Sequence, residues 1–293
     1  MKIAVIIPYH DRDQAYLGDA VESVRRQTRP ADEVILIDDG SATPPSCPSW
    51  VEVVRMPKNG GPGAARNYGM AHSGADAFAF LDADDVWLPD KLAEQEKALD
   101  RADWSYTDCW YLGRRGLARY TNLWFHGFRL VPAAGEVRRL HREGHNFITM
   151  SSVMIRRAAL DGGFREDLPL SEDWDLFTRL SDAVIPACRP LHLYRLKPLG
   201  WHRLHLARYV TVNLDILRRL CGHHPPKAVA RIMERAAIQH LNAGLLPEAR
   251  RLLWSPEITP LAHTRRVQGL RLFAWLPRAA WRRAILWRTG LAL

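Results

Sequence analysis

The feature that most constrains this chain is a short apolar run that ends abruptly in a cluster of carboxylates. Residues 78–81 read Phe-Ala-Phe-Leu, and Asp82, Asp84 and Asp85 follow within four positions. Like charges this close repel one another, and a buried carboxylate without a partner is costly. The pattern therefore favours a bound cation, and Mg²⁺ or Mn²⁺ prefers oxygen ligands and keeps positions open for phosphate. The alternative is a solvated turn that caps the following helix, because Asp is common where strands end.

Composition is that of an ordinary globular protein. The chain has 293 residues, of which 47% are hydrophobic and 25% charged, so it can bury a substantial core. Its four cysteines are scattered without a Cys-x-x-Cys pair, which argues against a zinc site or a disulfide scaffold and fits a reducing cytoplasm. The first apolar run is too short, and is followed too soon by charges, to be a signal peptide. No stretch approaches the roughly 18 apolar residues of a membrane span, so the expected location is the cytoplasm.

Strand-like and helix-like segments alternate in the first part of the chain at the spacing of βαβ units. Strands are expected at residues 2–8, 33–37, 51–55, 77–81, 104–112 and 151–155, with one or two more within 184–194. Helices are expected at residues 15–27, 60–72, 89–100 and 172–180, whereas residues 113–144 have an irregular pattern. We predict an α/β catalytic domain at residues 1–204 and a basic, mostly helical extension at residues 205–293.

Polar residues follow several of the predicted strands. In open α/β sheets, ligands bind at the carboxyl ends of the strands. Asp38 and Asp39 lie at such an end, and a glycine-rich stretch at residues 60–63 opens the helix that carries Arg66. The N–H groups of a helix start favour an anion, and Arg can add a forked donor. Taken singly, these residues could be turn chemistry or a plain loop; with the acidic cluster, they describe a pocket for a nucleoside diphosphate and a metal ion.

The order of these motifs resembles the inverting GT-A glycosyltransferases of family 2, over roughly residues 1–200. The matching segments are IAVIIPY (3–9), ILIDDGS (35–41), NGGPGAARN (59–67), FLDADD (80–85), GF (163–164) and EDWDL (172–176). The resemblance implies the GT-A fold, which is a Rossmann-like fold for nucleotide-diphosphate sugars, and dependence on Mn²⁺ or Mg²⁺.

The resemblance also implies a role for each matching residue. The nucleoside side of the site would consist of Pro8, Tyr9, Asp38 and Asp39, with Arg66 approaching the nucleotide. Asp82, Ala83 and Asp84 would line the ribose and metal–diphosphate region, with Asp84 as the more direct ligand. Asp173 would be the general base, although Glu172 and Asp173 could instead simply begin a helix with Ser171 as its N-cap. Further contacts to diphosphate or metal are left open among His192, Tyr194, Arg195 and His202.

The resemblance predicts an enzyme that moves one sugar from a nucleotide-sugar donor to a hydroxyl of a glycan or lipid-linked acceptor. UDP-sugar is the expected donor, while thymidine and guanosine donors also occur in the family. The Gln-x-x-Arg-Trp motif of processive synthases does not occur in the sequence. The alternative function is an inactive nucleotide-sugar-binding or scaffold protein of the same fold. Aspartyl phosphotransferases and sugar nucleotidyltransferases fit less well, because their motifs follow the first strand.

The positive charge of the chain is concentrated in its last third. From residue 204 onward there are 15 Lys and Arg against 4 Asp and Glu, whereas the whole chain has a net charge of +9. Arg and Trp alternate with aliphatic residues between 265 and 288, a composition typical of helices that lie on a membrane surface. The segment is therefore expected either to contact an anionic membrane peripherally or to form a helical cap with a solvated basic face. Nucleic-acid binding is not expected, because no reading motif accompanies the charge.

Overall fold

The computed structural model describes residues 1–113, 116–119, 136–195, 200–242 and 245–275. The chain divides into two compact units. The first comprises Met1–Leu112, Leu117–Val137 and Phe147–Arg195, and the second Gly113–Gly116, Arg138–Asn146 and Leu196–Leu293. The domain boundary placed after residue 204 from sequence stays a prediction.

A nine-stranded mixed sheet organises the described part of the first unit. Its strands are β1 (Ile3–Tyr9), β2 (Glu33–Asp38), β3 (Glu52–Arg55), β4 (Ala77–Phe80), β5 (Val86–Trp87), β6 (Trp104–Gly113), β7 (Gly116–Arg119), β8 (Val153–Arg156) and β9 (Val184–Arg195). The strand order is β3-β2-β1-β4-β8-β6-β9-β5, with β7 paired to β6.

The helices begin and end at the following residues. They are α1 (Gln14–Arg25), α2 (Gly61–Ala71), α3 (Lys91–Leu99), α4 (Glu136–Arg142), α5 (Glu172–Arg179), α6 (Gly200–Cys221), α7 (Pro226–Asn242), α8 (Leu246–Leu253) and α9 (Arg265–Ala274). None of those in the described ranges combines the length and apolarity needed to cross a bilayer. In the second unit, α7, α8 and α9 share a small core that includes Leu241, Leu253 and Val267.

The centre of the sheet is covered on both faces, which explains its nearly continuous apolar strands. Residues Ile3 to Ile7 of β1 are all fully buried, and alternate side chains belong to two separate cores. Helix α2 packs closely on one face at Gly69, where a Cβ would lie 2.8 Å from a methyl carbon of Ile6. Only glycine permits this approach, so α2 is held at a fixed height above the ends of β1 and β2.

Strand direction determines where the polar residues meet. Strands β1, β2, β3 and β4 are mutually parallel, β8 runs antiparallel to both β4 and β6, and β9 runs parallel to β6. The carboxyl ends of β1, β2, β4 and β9 therefore share one edge of the sheet. Tyr9, Asp38, Asp82 and Arg195 end or follow these strands at that edge, as the α/β pattern predicted.

The structure corrects or completes the local predictions at four segments. The predicted strand at residues 151–155 begins at Val153, because a 3-10 turn, Met150–Ser152, precedes it. Residues 184–194 belong to one strand, Val184–Arg195, which is one of the two predicted alternatives, and its pairing with β6 becomes irregular between Ala187 and Pro190. Strand β5 was not predicted, since two residues carry no periodic signal. The segment predicted as irregular, 113–144, contains strand β7 and helix α4, so the prediction is wrong there, while residues 114–115 and 120–135 lie outside the described residues.

Candidate functional site

The acidic cluster lies directly after β4, at the shared edge of the sheet. Asp82 and Asp84 are partly exposed, whereas Asp85 is buried. One carboxylate oxygen of Asp85 accepts the N–H of Arg195 at 2.8 Å. Its other oxygen is buried and has no partner of hydrogen-bond geometry among the described residues. Burial raises the pKa of the Asp85 carboxyl well above its ordinary value, and the charges of Asp84 and Asp82 raise this pKa further.

This acidic edge fits a divalent cation. The described residues contain no ready-made group of three or more His, Cys, Asp or Glu that could hold a metal by itself. Asp82 and Asp84 nevertheless supply hard oxygen ligands at an accessible edge of the sheet. Mg²⁺ and Mn²⁺ bind through one or two carboxylates and take the remaining ligands from substrate phosphate and water. The donor set therefore suits the cation that the sequence predicted.

Arg66 joins the acidic cluster to the start of α5. Its guanidinium is buried; one nitrogen donates to Asp82 at 2.7 Å, and another donates to Glu172 at 2.8 Å. The ring of Phe164 lies under the same guanidinium, 5.3 Å from its carbon. These contacts use the forked donor within the chain, whereas the sequence predicted that Arg66 approaches the nucleotide. The two carboxylates hold Arg66 charged, since both raise its pKa against the effect of burial.

The first turn of α5 contains the predicted base. Asp173 is partly buried and follows Glu172, so the Arg66 bridge fixes its backbone beside the acidic edge. Ser171 occupies the N-cap position that the sequence predicted, but its side chain makes no capping bond there. It has φ of 61°, the single positive value among the described non-glycine residues. Such backbone strain concentrates at functional sites, which makes the start of α5 a site candidate on conformational grounds also.

The two aspartates at the carboxyl end of β2 are used mainly to build the surrounding loops. One oxygen of Asp38 accepts the N–H and hydroxyl of Ser41 at 2.9 and 2.6 Å, and the other accepts Arg55 at 2.9 Å. The carboxylate of Asp39 accepts the N–H groups of Gly60 and Gly61 at 2.6 and 2.9 Å. Asp39 therefore holds the glycine-rich start of α2 against β2, a role that the sequence did not predict.

The remaining residues predicted for the nucleotide lie at the same edge. Tyr9 ends β1, and its buried hydroxyl has no hydrogen-bond partner among the described residues. Burial raises the pKa of this hydroxyl, with smaller contributions from Asp11 and Asp38. Pro8 pairs with Ile37 in the register of β1 and β2. Ala83 is buried between the carboxylates of the cluster. The hydroxyl of Tyr9 is thus a buried polar group at the end of β1 whose hydrogen-bonding capacity the described residues leave unused.

Arg195 closes the acidic cluster from the end of β9. Besides the bond from its N–H to Asp85, its side chain donates to the carbonyl oxygen of Asp84 at 2.8 Å and to Asp19 at 2.9 Å. The guanidinium lies 4.6 Å from the centre of the Tyr16 ring. Arg195, one of the residues that the sequence left open, therefore fixes the acidic loop and places a positive charge beside it.

The other residues left open differ in their surroundings. His192 is fully buried, contacts the hydroxyl of Thr149 through Nε2 at 3.1 Å, and has its pKa lowered to about 3 by burial and by nearby Lys91. This environment is that of a core histidine. Burial and the charges of the acidic cluster raise the pKa of Tyr194. The side chain of His202 lies outside the described residues.

Two further residues support the site, and the sequence assigned a role to neither, although Asn67 belongs to the glycine-rich motif. Ser151, 69 positions from Asp82, accepts the Asp82 N–H through its hydroxyl oxygen at 3.0 Å. Asn67 contacts the backbone of Phe164 in both directions, donating to its carbonyl and accepting its N–H, each at 2.8 Å. The same amide oxygen would lie 2.6 Å from a Cβ at Gly163, whose φ is +57°. The Gly163-Phe164 motif is therefore the place where Asn67 of α2 contacts the chain. This packing role accounts for the motif without any contact to substrate.

Comparisons with known proteins agree with this arrangement. Residues 4–164 match the family described as Glycosyl transferase family 2. Succinoglycan biosynthesis protein ExoW of Rhizobium meliloti is 37% identical over 126 residues, which are 39% of this chain and 38% of that protein. An uncharacterized glycosyltransferase of Haemophilus influenzae is 26% identical over 264 residues, 86% of this chain and 92% of that protein. The chain thus matches less than two fifths of ExoW and nearly all of the second relative.

Solved structures share the fold across almost the whole chain. S. aureus TarS in complex with UDP-GlcNAc has a TM-score of 0.53 at 17% identity, covering 100% of this chain and 84% of that one. The mannosyltransferase PcManGT from Pyrobaculum calidifontis, in complex with GDP-Man and Mn²⁺, has a TM-score of 0.52 at 19% identity, covering 99% and 86%. At these identities the likeness concerns the fold, and it confirms the predicted GT-A architecture. Because the family match spans more than half of the sequence and includes the acidic edge, the chain belongs to glycosyl transferase family 2.

Proposed function

We propose that this protein transfers a single sugar from a nucleoside-diphosphate sugar to a hydroxyl of a glycan or lipid-linked acceptor, with inversion at the anomeric carbon. The observation that carries the proposal is the buried Arg66 bridge between Asp82 and Glu172. It fixes the candidate base, Asp173, relative to the acidic cluster where a diphosphate and its cation would bind. An inverting transfer requires a site for the leaving group and a proton acceptor for the incoming hydroxyl. The buried guanidinium of Arg66 links the segments that carry these two elements.

The donor and acceptor classes are supported by similar proteins. TarS binds UDP-GlcNAc and PcManGT binds GDP-Man with Mn²⁺, so a nucleotide sugar and a divalent cation suit this fold. We propose UDP-sugar as the donor, with Tyr9, Asp38 and Asp39 on the nucleoside side. The names of two relatives are consistent with a glycan acceptor. ExoW of Rhizobium meliloti is named a succinoglycan biosynthesis protein, and TuaG of Bacillus subtilis is named a putative teichuronic acid biosynthesis glycosyltransferase.

Each residue has a defined task in the proposed reaction. Asp82 and Asp84 would hold Mn²⁺ or Mg²⁺, which when bound neutralises the negative charge that develops on the departing diphosphate. Asp173 accepts the proton of the acceptor hydroxyl. The resulting oxygen nucleophile attacks the anomeric carbon from the face opposite the diphosphate as the bond to that diphosphate breaks. One displacement inverts the configuration, and no covalent intermediate with the protein is needed.

The test combines a donor panel with one conservative substitution. Purified protein is supplied with UDP-, TDP- and GDP-sugars, with and without glycan acceptors, and nucleotide release is measured. Asp173→Asn should retain donor affinity within a few-fold while turnover falls by roughly 10²–10⁴, the range for a lost general base. Asp161→Asn, which removes an exposed carboxylate of the same unit, is the matched control and should leave both unchanged.

The outcomes separate the proposal from its alternative. Donor binding without nucleotide release, with every acceptor supplied, would favour the nucleotide-sugar-binding or scaffold function. If Asp173→Asn abolished donor binding but turnover at saturating donor persisted, Asp173 would be a nucleotide ligand or a helix cap. Retention of anomeric configuration in the product would exclude the single displacement.

A further inference from the structure

The second unit exposes a group of large apolar side chains that its own core does not use. Trp254 is 47% exposed, Leu272 is 75% exposed and Trp275 is 63% exposed. Leu272 lies in the last turn of α9, and Trp275 directly follows the helix; the N–H of Trp275 donates to the carbonyl of Leu272 at 3.1 Å, so the two side chains lie on one side of this helix end. Trp254, which follows α8, lies against Trp275 with ring centres 6.2 Å apart. We call Trp254, Leu272 and Trp275 the tryptophan patch.

Two arginines hold the patch in place by a reciprocal arrangement. Arg250 of α8 donates to the last carbonyl of α9 at 3.1 and 2.9 Å, and its guanidinium lies 4.1 Å from the centre of the Trp275 ring. Arg271 of α9 donates to the last carbonyl of α8 at 2.9 Å and lies 5.3 Å from the centre of the Trp254 ring. Each helix thus provides an arginine that caps the carboxyl end of the other helix. The same arginine lies on the ring of the tryptophan that follows the helix it caps. The patch is a fixed surface feature.

The surroundings of the patch are basic. Residues 245–275 contain five Arg and two Glu. Arg251 and Arg265 are exposed, whereas Arg266 is paired with Glu234 at 2.6 Å. The sequence that follows, residues 276–293, adds four Arg and two Trp and no acidic residue. A partner that complements this surface is negatively charged and also accepts apolar side chains.

We propose that the tryptophan patch docks the protein on an anionic lipid surface. The ring and N–H of a tryptophan suit the headgroup region, where one side of the residue is apolar and the other is hydrated. Leu272 would enter the acyl boundary next to Trp275, and the flanking arginines would attract lipid phosphate. Phospholipid bilayers combine dense negative charge with an apolar layer just beneath it. This proposal concerns a surface of the second unit and does not depend on the proposed transfer reaction.

The test measures binding of the full chain to vesicles by co-sedimentation. Vesicles of phosphatidylcholine with about one third phosphatidylglycerol are compared with pure phosphatidylcholine. The double variant Leu272→Gln/Trp275→Gln should bind the anionic vesicles at least about tenfold more weakly, since burial of one large apolar side chain changes an equilibrium constant by a decade or more. Trp50→Gln is the matched control, because Trp50 is 40% exposed on the first unit, and it should bind within about twofold of the parent.

Each result decides the proposal. Binding of the parent to anionic vesicles, its release by high salt and its loss in the double variant would support docking through the patch. Failure of the parent to bind anionic vesicles, or equal binding by parent and double variant, would overturn it. Sedimentation velocity without lipid is measured in parallel. A parent dimer that dissociates in the double variant would identify the patch as a contact between two copies of the chain, and would also overturn the proposal.

Discussion

Replacing Arg66 should destabilise the fold, and most of the loss should come from the broken ion pair with Glu172 rather than from the one with Asp82. Arg66→Met keeps much of the volume of the side chain but leaves two carboxylates without their shared cation. The Glu172 side chain is 12% exposed and that of Asp82 is 32% exposed. Water can therefore solvate Asp82 after the substitution, whereas Glu172 stays poorly hydrated. Removal of one member of a buried ion pair costs about 3–5 kcal/mol, which is the expected loss for Arg66→Met.

Double-mutant cycles divide this loss between the two partners. A hydrogen bond to a charged group contributes about 1.5–3 kcal/mol when buried, and an ion pair in contact with water contributes about 0–1 kcal/mol. We expect a coupling energy of about 2–3 kcal/mol between Arg66 and Glu172, measured with Glu172→Gln. The coupling between Arg66 and Asp82, measured with Asp82→Asn, should be about 1 kcal/mol. Arg66→Lys should be intermediate, since one ammonium does not reproduce the planar fork.

The assay is urea unfolding in excess chelator, so that no cation contributes through Asp82. Far-ultraviolet circular dichroism and tryptophan fluorescence should give coincident transitions before free energies are compared. The reasoning would be refuted by a coupling below about 0.5 kcal/mol for both pairs, or by a coupling to Asp82 equal to that of Glu172.

Three further predictions follow from the buried and acidic groups. Chelation should abolish transfer, Mn²⁺ or Mg²⁺ should restore it, and Asp84→Asn should reduce turnover by at least about two decades; full activity in excess chelator would contradict this. Burial lowers the pKa of three histidines from 6.5 to about 3, namely His141, His145 and His192. Below about pH 6.5 these histidines stay neutral in the folded protein but become charged in the unfolded chain, so the urea midpoint of unfolding should fall as pH decreases. Each histidine lowers the free energy of unfolding by up to about 1.4 kcal/mol per pH unit until the pH reaches its folded-state pKa. Burial also lowers the pKa of Lys91 well below its ordinary value of 10.5. At pH values between the pKa of the folded state and that of the unfolded state, the unfolded chain therefore binds a proton that the folded chain does not. Relative to Lys91→Met, the parent should therefore gain about 1.4 kcal/mol of stability per pH unit as pH rises within that window. Lys97→Met, at a side chain 72% exposed on the same helix, should change stability by less than about 0.5 kcal/mol.

The fold could be predicted where burial leaves a periodic signal. Strands β1, β2 and β4 are covered on both faces, so their sequences are continuous apolar runs that end at polar residues. Apolar residues at helical spacing located α1, and a glycine-rich helix start located α2, each to within two residues at either end. It left one or two strands open at β9, and the structure shows one strand, Val184–Arg195, with irregular pairing to β6. Tertiary pairing with β6 decides that case, and no local pattern reports it.

The site could be predicted as a set of residues but not as a set of contacts. The sequence identified the carboxylates at one edge of the sheet because strand ends are visible in it. It did not indicate that Arg66 pairs with Glu172, 106 positions away, or that Asp39 holds Gly60 and Gly61. A motif lists side chains without their partners. A charged side chain can be satisfied within the chain or by a ligand, and only the geometry of the folded state distinguishes these uses.

That distinction changes how substitutions in the motifs should be interpreted. Asp38, Asp39 and Arg66 are buried, and their charged groups bind the protein itself, so replacing them perturbs the backbone that shapes the site. Asp84 and Asp173 also interact within the chain, as in the 2.6 Å bond from the Trp174 N–H to Asp173, but they are partly exposed at the edge where substrates would approach. A loss of activity in the first group is therefore uninformative about ligand contacts unless stability is measured with it. A loss in the second group at unchanged stability points to a direct part in binding or chemistry. The proposed function accordingly depends most on Asp84 and Asp173, even though the motifs include all five residues.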